Sequence, residues 1–169
     1  PIRRTLAHLP TDRPVAVMMR HAARFPITTA EEGWDARLTE AGHEAAVALG
    51  LEVGRLWDRL GVAAARLWSS PIPRCQETAS RFSEGLADAL VTVSDIGIIK
   101  SLAGPYLHDV NGVMDIALSI CDQAFVRAWF DGQLDEGLLL PAAVAARGQV
   151  DVMLRSLENA EEGVDVHVS

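Results

Sequence analysis

Val15-Ala16-Val17-Met18-Met19 is an unbroken apolar run that stops at Arg20-His21-Ala22-Ala23-Arg24-Phe25-Pro26, and the pattern recurs where Ala63–Trp68 stops at Ser69-Ser70-Pro71-Ile72-Pro73-Arg74. An apolar run bounded by Pro14 and by charge reads as a strand buried on both faces, which is what parallel sheets require. Thr39 is a plausible N-cap, and Leu49, Val53, Leu56 and Leu60 then recur at helical spacing until Gly61 stops the helix. After the second run, Ser70 as N-cap and Pro71 as first helical residue open another helix. It extends to about Leu90, with Cys75, Ala79, Phe82, Leu86 and Leu90 on one stripe. Val91 to Ile99 is a third strand-like run, broken by Ser94-Asp95 and Gly97. Strands alternating with helices of this length imply βαβ units with right-handed crossovers, hence an α/β, three-layer αβα sandwich around a mostly parallel sheet.

From Lys100 to Arg147 the pattern changes. Gly104-Pro105 marks a turn, and Val113 to Phe130 reads as one helix with Ile116, Ile120, Ala124 and Trp129 inward. Leu138-Leu139-Leu140-Pro141 ends an element, and Ala142 to about Ala160 gives a further helix. Residues 100–147 are therefore read as a helical insertion forming one wall of a site. Val164 to Ser169 is a last short strand, in which alternation with valine places His167 in mid-strand, away from the carboxyl end. With 169 residues and 49% apolar content, residues 1–169 are read as a single domain.

Ligands of open α/β sheets collect beyond the carboxyl ends of the strands, where Arg20, His21 and Arg24 emerge. Guanidinium forks fit phosphate oxygens, and an imidazole is a nucleophile or proton carrier near neutral pH. Arg74 lies in the opening turns of a helix, where backbone N–H groups already favour an anion. Two strand ends thus present arginines, and phosphate chemistry is the simplest use for them. Histidines elsewhere are weaker candidates. His108-Asp109 sits in a loop of the insertion, lining the pocket or simply solvated, and His8, His43, Glu31 and Glu32 read as surface residues, the two glutamates in a loop.

Arg20-His21-Ala22-Ala23-Arg24-Phe25-Pro26 resembles the RHGxRxP signature of the histidine phosphatase superfamily. Leu38-Thr39-Glu40-Ala41-Gly42 resembles its LTxxG, and Ser70-Pro71 through Arg74 to Thr78-Ala79 resembles its second arginine motif. The resemblance implies a phosphoglycerate mutase-like fold. It also implies that His21 is a nucleophile forming a phosphohistidine, with Arg20, Arg24 and Arg74 on the phosphoryl oxygens and neither metal nor cofactor. His21, Arg20 and Arg74 are thus the candidate catalytic residues, and Arg24 and His108 the candidate substrate-binding ones. Arg24 and Pro26 lean toward the acid phosphatase type, while a mutase or a non-catalytic phosphate-binding module would share these residues. Ala22 departs from the family's glycine, and its Cβ constrains backbone approach and positive φ. The resemblance also implies a second catalytic histidine, in a His-Asp pair, after the last strand. The expectation is that the C-terminal part is missing and the natural polypeptide continues past Ser169.

The expected partner is a small phosphorylated substrate drawn to a local positive pocket. A formal charge of −8 disfavours nucleic acid or an anionic membrane surface. Cys75 and Cys121 are too few for a disulfide framework and fit a reducing compartment, with Cys75 expected as a buried thiol. No stretch reaches membrane-spanning length, so a cytoplasmic location is the default, with a removed N-terminal segment compatible with the start at Pro1. Oligomeric state is not legible.

Overall fold

The computed structural model describes residues 10, 13–104, 106–120, 122–158, 160 and 163–169. Its elements are β1 (Val15–Met19), α1 (Ala30–Asp35), α2 (Glu40–Arg59), β2 (Ala64–Ser69), α3 (Pro73–Asp88), β3 (Thr92–Val93) and β4 (Gly97–Ile98). A 3₁₀ turn (Lys100–Leu102) follows, then α4 (Val110–Ile120), α5 (Asp122–Phe130), α6 (Ala142–Leu157) and β5 (Val164–Val168). The strand order is β1-β5-β2-β3, and all named pairings are parallel. This is the phosphoglycerate mutase-like arrangement of a parallel sheet flanked by helices. β3 and β4 are one interrupted edge strand, each pairing with β2; the interruption includes Ser94-Asp95 as the sequence suggests, whereas Gly97, also expected as a break, opens β4 opposite Trp68.

Alternation along the strands sorts the two faces. Val164, Val166 and Val168 of β5 and Ala65 and Leu67 of β2 pack with Val53 and Trp57 of α2 and Phe82 and Leu86 of α3 in one core. Burying a side chain such as Phe82 or Leu86 contributes about 1.5–3 kcal/mol. Helix α6 lies against β1 and β5, on the sheet's other face. Helices α2 and α3 approach closely because glycines meet at the crossing. A Cβ on Gly50 would lie 2.2 Å from the Phe82 carbonyl oxygen, and one on Gly85 would lie 2.1 Å from that of Val47.

Several expectations need correction. β1 is an edge strand with Met18 exposed, while β5 (Val-Asp-Val-His-Val) is the strand buried throughout. Helix α3 begins at Pro73 with Ile72 as N-cap, because a residue before proline is pushed out of the helical region and Ile72 is extended at φ −71, ψ 129. Ser70 instead accepts from the Ile72 amide, 3.3 Å away. Leu90 is 87% exposed at φ +65, since α3 has already ended and the chain is turning toward Val91. Glu31 and Glu32 lie in helix α1, where Thr29 and Glu32 form a capping box. The expected helix from Val113 to Phe130 is two, α4 and α5, and Ile120 is exposed while Val113 is buried. His8 and Cys121 lie outside the described residues, and Cys75 is buried as expected.

The buried β5 carries two polar side chains. Asp165 is paired with Arg66, whereas neither ring nitrogen of His167 meets hydrogen-bond geometry with a partner. Burial holds the His167 pKa below its ordinary 6.5, partly offset by the Asp165 carboxylate and the neighbouring Val17 backbone, with the Arg66 charge adding to the depression. The unfolded chain therefore binds this proton more readily, so the His167 contribution is intact above about pH 6.5 and is lost as pH falls below it. Urea unfolding at pH 7.5 and 5.5 should show lower stability at the acid value. His167→Leu should flatten that slope, and an unchanged slope would show that His167 does not titrate on unfolding.

Candidate active site

Three strand ends meet at the carboxyl edge of the sheet and are tied by the backbone. The His21 amide donates to the Ser169 carbonyl at 2.9 Å, Ser169 to Met19 at 3.1 Å, and Ser70 to Val168 at 3.0 Å. These bonds lock the ends of β1, β5 and β2 in register. A cavity of about 540 Å³ opens above them, and Arg20, His21, Arg24 and Arg74 all line it. Its size suits a small organic ligand.

The loop after β1 is held against helix α3 by two consecutive side chains. Thr78 Oγ1 accepts from the Ala22 amide at 3.0 Å and donates to the Arg74 carbonyl at 2.7 Å. Glu77 accepts from the Leu38 amide and from Arg37 Nη1, both at 2.9 Å, which secures the returning arm of the loop. Burial pushes the Glu77 carboxyl up, but the Leu38 amide and Arg37 outweigh it and hold its pKa below the usual value. The two arms are joined by an antiparallel bridge between Arg24 and Leu38. Gly42 lets helix α2 meet this loop, since a Cβ there would lie 2.1 Å from the Ala23 carbonyl oxygen. Ala22 is not strained, because Leu90 is the one non-glycine residue with positive φ among the described residues.

His21 Nδ1 lies 2.8 Å from the Ala22 carbonyl oxygen. A carbonyl only accepts, so Nδ1 carries the proton and Nε2 of the neutral ring keeps its lone pair. Burial lowers the His21 pKa from 6.5. The Ala22 hydrogen bond raises it, and the charges of Arg74, Arg20 and Arg24 lower it further. Arg74 is held by its Nη1, which donates to the Gly33 carbonyl of α1, while its buried Nε has no hydrogen-bond partner. Burial, reinforced by Arg24 and Arg20, lowers the Arg74 pKa as well. Tyr106 also lines the cavity, its hydroxyl pKa raised by burial against the pull of Arg20 and Arg74. A cluster of guanidiniums around a neutral imidazole is a site for an anion with several oxygens.

The structure thus brings Arg20, His21, Arg24 and Arg74 together. His108 stays apart: it is exposed, its Nδ1 donates to the Glu136 carbonyl at 3.1 Å, and it does not line the cavity although Tyr106, Leu107 and Val110 do. His167 and Asp109 are not among the lining residues either. Among the described residues no three of His, Cys, Asp or Glu come together as metal ligands. No described helix is long and apolar enough to cross a membrane. Glu77 and Thr78 were not read as positioning residues, yet a signal existed: they stand three and four residues after Arg74, on its face of the helix.

An α/β fold that brings three arginines and a histidine to one cavity at its sheet edge forms a pocket suited to an anion. Residues 16–97 match the family model of the histidine phosphatase superfamily, branch 1, and this segment belongs to that superfamily. The match does not single out the acid phosphatase type suggested by Arg24 and Pro26. No curated protein matches the chain. Among solved structures it is similar to the alpha-ribazole phosphatase of Shigella flexneri (19% identity, TM-score 0.51, covering 91% of this chain and 72% of that one). It is also similar to a mycobacterial glucosyl-3-phosphoglycerate phosphatase (19%, 0.51, 88% and 70%) and to a structure described as mycobacterial hydrolase 2 (20%, 0.50, 88% and 64%). The chain therefore spans about two thirds of the length of the solved structures it matches, and at these identities the likeness is one of fold.

Thr78→Val keeps the shape of the side chain but leaves the Ala22 amide without its acceptor, which should cost about 1–3 kcal/mol of stability. Crystallography or amide hydrogen exchange should show the Ala22 amide loosened. Exchange unchanged at Ala22 would mean that the loop is held by other contacts.

Proposed function

We propose that the protein is a metal-independent phosphohydrolase that acts on small phosphomonoesters through a phosphohistidine at His21. The observation that carries this reading is the Nδ1 hydrogen bond to Ala22, which leaves Nε2 as the nucleophilic nitrogen in a cavity lined by three arginines. In the first step Nε2 bonds to phosphorus as the ester P–O bond breaks, and the departing oxygen takes up a proton originating from water. In the second, the hydroxide left by that water attacks phosphorus, the N–P bond breaks, and inorganic phosphate leaves with His21 restored. One ester and one water become one alcohol and one phosphate. Charge builds on the non-bridging oxygens in a loose transition state, where Arg20, Arg24 and Arg74 would hold it. A small phosphorylated substrate is the partner this reading requires, with no cofactor.

Enzyme quenched during turnover of a radiolabelled aryl phosphate should carry acid-labile, base-stable phosphate on His21. His21→Ala should lose both label and activity. Arg74→Ala should lower kcat/KM by about 2–4 kcal/mol of transition-state stabilisation. Because the His21 pKa is depressed, the acid limb of kcat/KM should lie below pH 6.5. Label on serine or aspartate would sink the mechanism, and an isomerised ester in place of free phosphate would identify a mutase.

A further inference from the structure

Resting on that phosphatase reading, we propose that the ester group of the substrate is hydrophobic: an alkyl or aryl phosphate, in preference to a sugar phosphate or a phosphorylated hydroxy acid. The cavity has two unlike halves. Its floor holds Arg20, His21, Arg24 and Arg74, which suit the phosphoryl group. Its walls are apolar. Helix α4 turns Val110, Val113, Met114 and Ala117 toward the cavity, at the i, i+3, i+4, i+7 spacing of one helical face. Phe125 of α5 and Trp34 of α1 extend this surface on other sides.

Such a stripe normally faces a packed core throughout, but here only Val113 is buried, while Val110, Met114 and Ala117 are partly covered and border an open cavity. Among the described residues that line it there is no Asp, Glu, Asn, Gln, Lys or Thr. Beyond the floor, the uncharged polar side-chain groups are the Tyr106 and Ser169 hydroxyls, the Cys75 thiol and the Trp34 indole N–H. A sugar would bring several hydroxyls that lose water on entry, and each one left without a partner costs binding free energy. An apolar group instead gains from leaving water, and the walls gain with it. The floor does not change this balance, because Arg74 and Arg24 already donate to the Gly33 and Phe25 carbonyls and the remaining guanidinium donors would be committed to the phosphoryl oxygens.

The test compares hexyl and 1-naphthyl phosphate with glycerol 3-phosphate and glucose 6-phosphate by kcat/KM, alongside calorimetric binding of hexylphosphonate and methylphosphonate, which need no turnover. The hydrophobic esters should be preferred by about tenfold or more, and hexylphosphonate should bind about tenfold or more tighter than methylphosphonate. Met114→Asn should shrink both preferences, and Arg20→Ala should weaken both phosphonates. Equal binding of the two phosphonates, a preference for the polar esters, or hexylphosphonate binding indifferent to Arg20→Ala would overturn the proposal. If the phosphonate preference holds while no ester is turned over, the hydrophobic site stands and the phosphatase reading fails. If the polar esters are turned over better, the phosphatase reading stands and the hydrophobic site fails.

Discussion

A carboxylate in the middle of a parallel sheet is tolerated only if its charge is met, and Asp165 meets Arg66 Nε at 2.7 Å and Nη2 at 2.8 Å. The Trp68 indole adds a third donor at 3.2 Å, and Arg66 is itself fixed by donating to the Ser156 carbonyl of α6. This pair allows β5 to run between β1 and β2, although its sequence is the most polar of the three. The consequence reaches the site. β1 carries His21 and β2 leads to Arg74, yet these two strands do not touch and share only β5. The alignment of His21 and Arg74 is therefore inherited from the register of β5, with Val17 and Leu67 both opposite Val166.

A second fixing operates across the site loop. Glu77 and Thr78 are neighbours on α3, and each holds one arm of the loop that carries His21, Ala22 and Arg24. Arg74 stands one turn earlier on the same helix and donates to Gly33 of α1. Helix α3 thus presents one arginine directly and positions the rest of the cage through its next turn. Holding charged donors in place before the anion arrives reduces the reorganisation that binding would otherwise demand.

Much of this was legible in the chain. Apolar runs ending in Arg20-His21 and in Ser69-Ser70 located two strand ends, and their parallel relation followed from the length of the intervening helices. The grouping of Arg20, His21, Arg24 and Arg74 was readable for the same reason, since each is local to a strand end. What escaped was non-local. Nothing in Val-Asp-Val-His-Val announces a central strand, because the partner that makes Asp165 tolerable is Arg66, far away in sequence. The division between α4 and α5, and the inward face of Val113, Met114 and Ala117, were also misread, because a helix apolar on several sides does not declare which side meets the protein. His108 was attractive as a histidine beside an aspartate, but its ring is taken by the Glu136 carbonyl.

The glycine crossing of α2 and α3 has a mechanical consequence. Backbones in direct contact at Gly50 and Gly85 leave no side-chain layer that could slide or repack, so the arginine-bearing side of the cavity behaves as a fixed jaw. The opposing side is built differently: among the described residues α5 has no buried side chain and α4 only Val113. Thin packing of that kind sets a low free energy for local opening. On the proposed reading that side would also contact the apolar end of the substrate, so fit and residence time would be governed by the same few side chains.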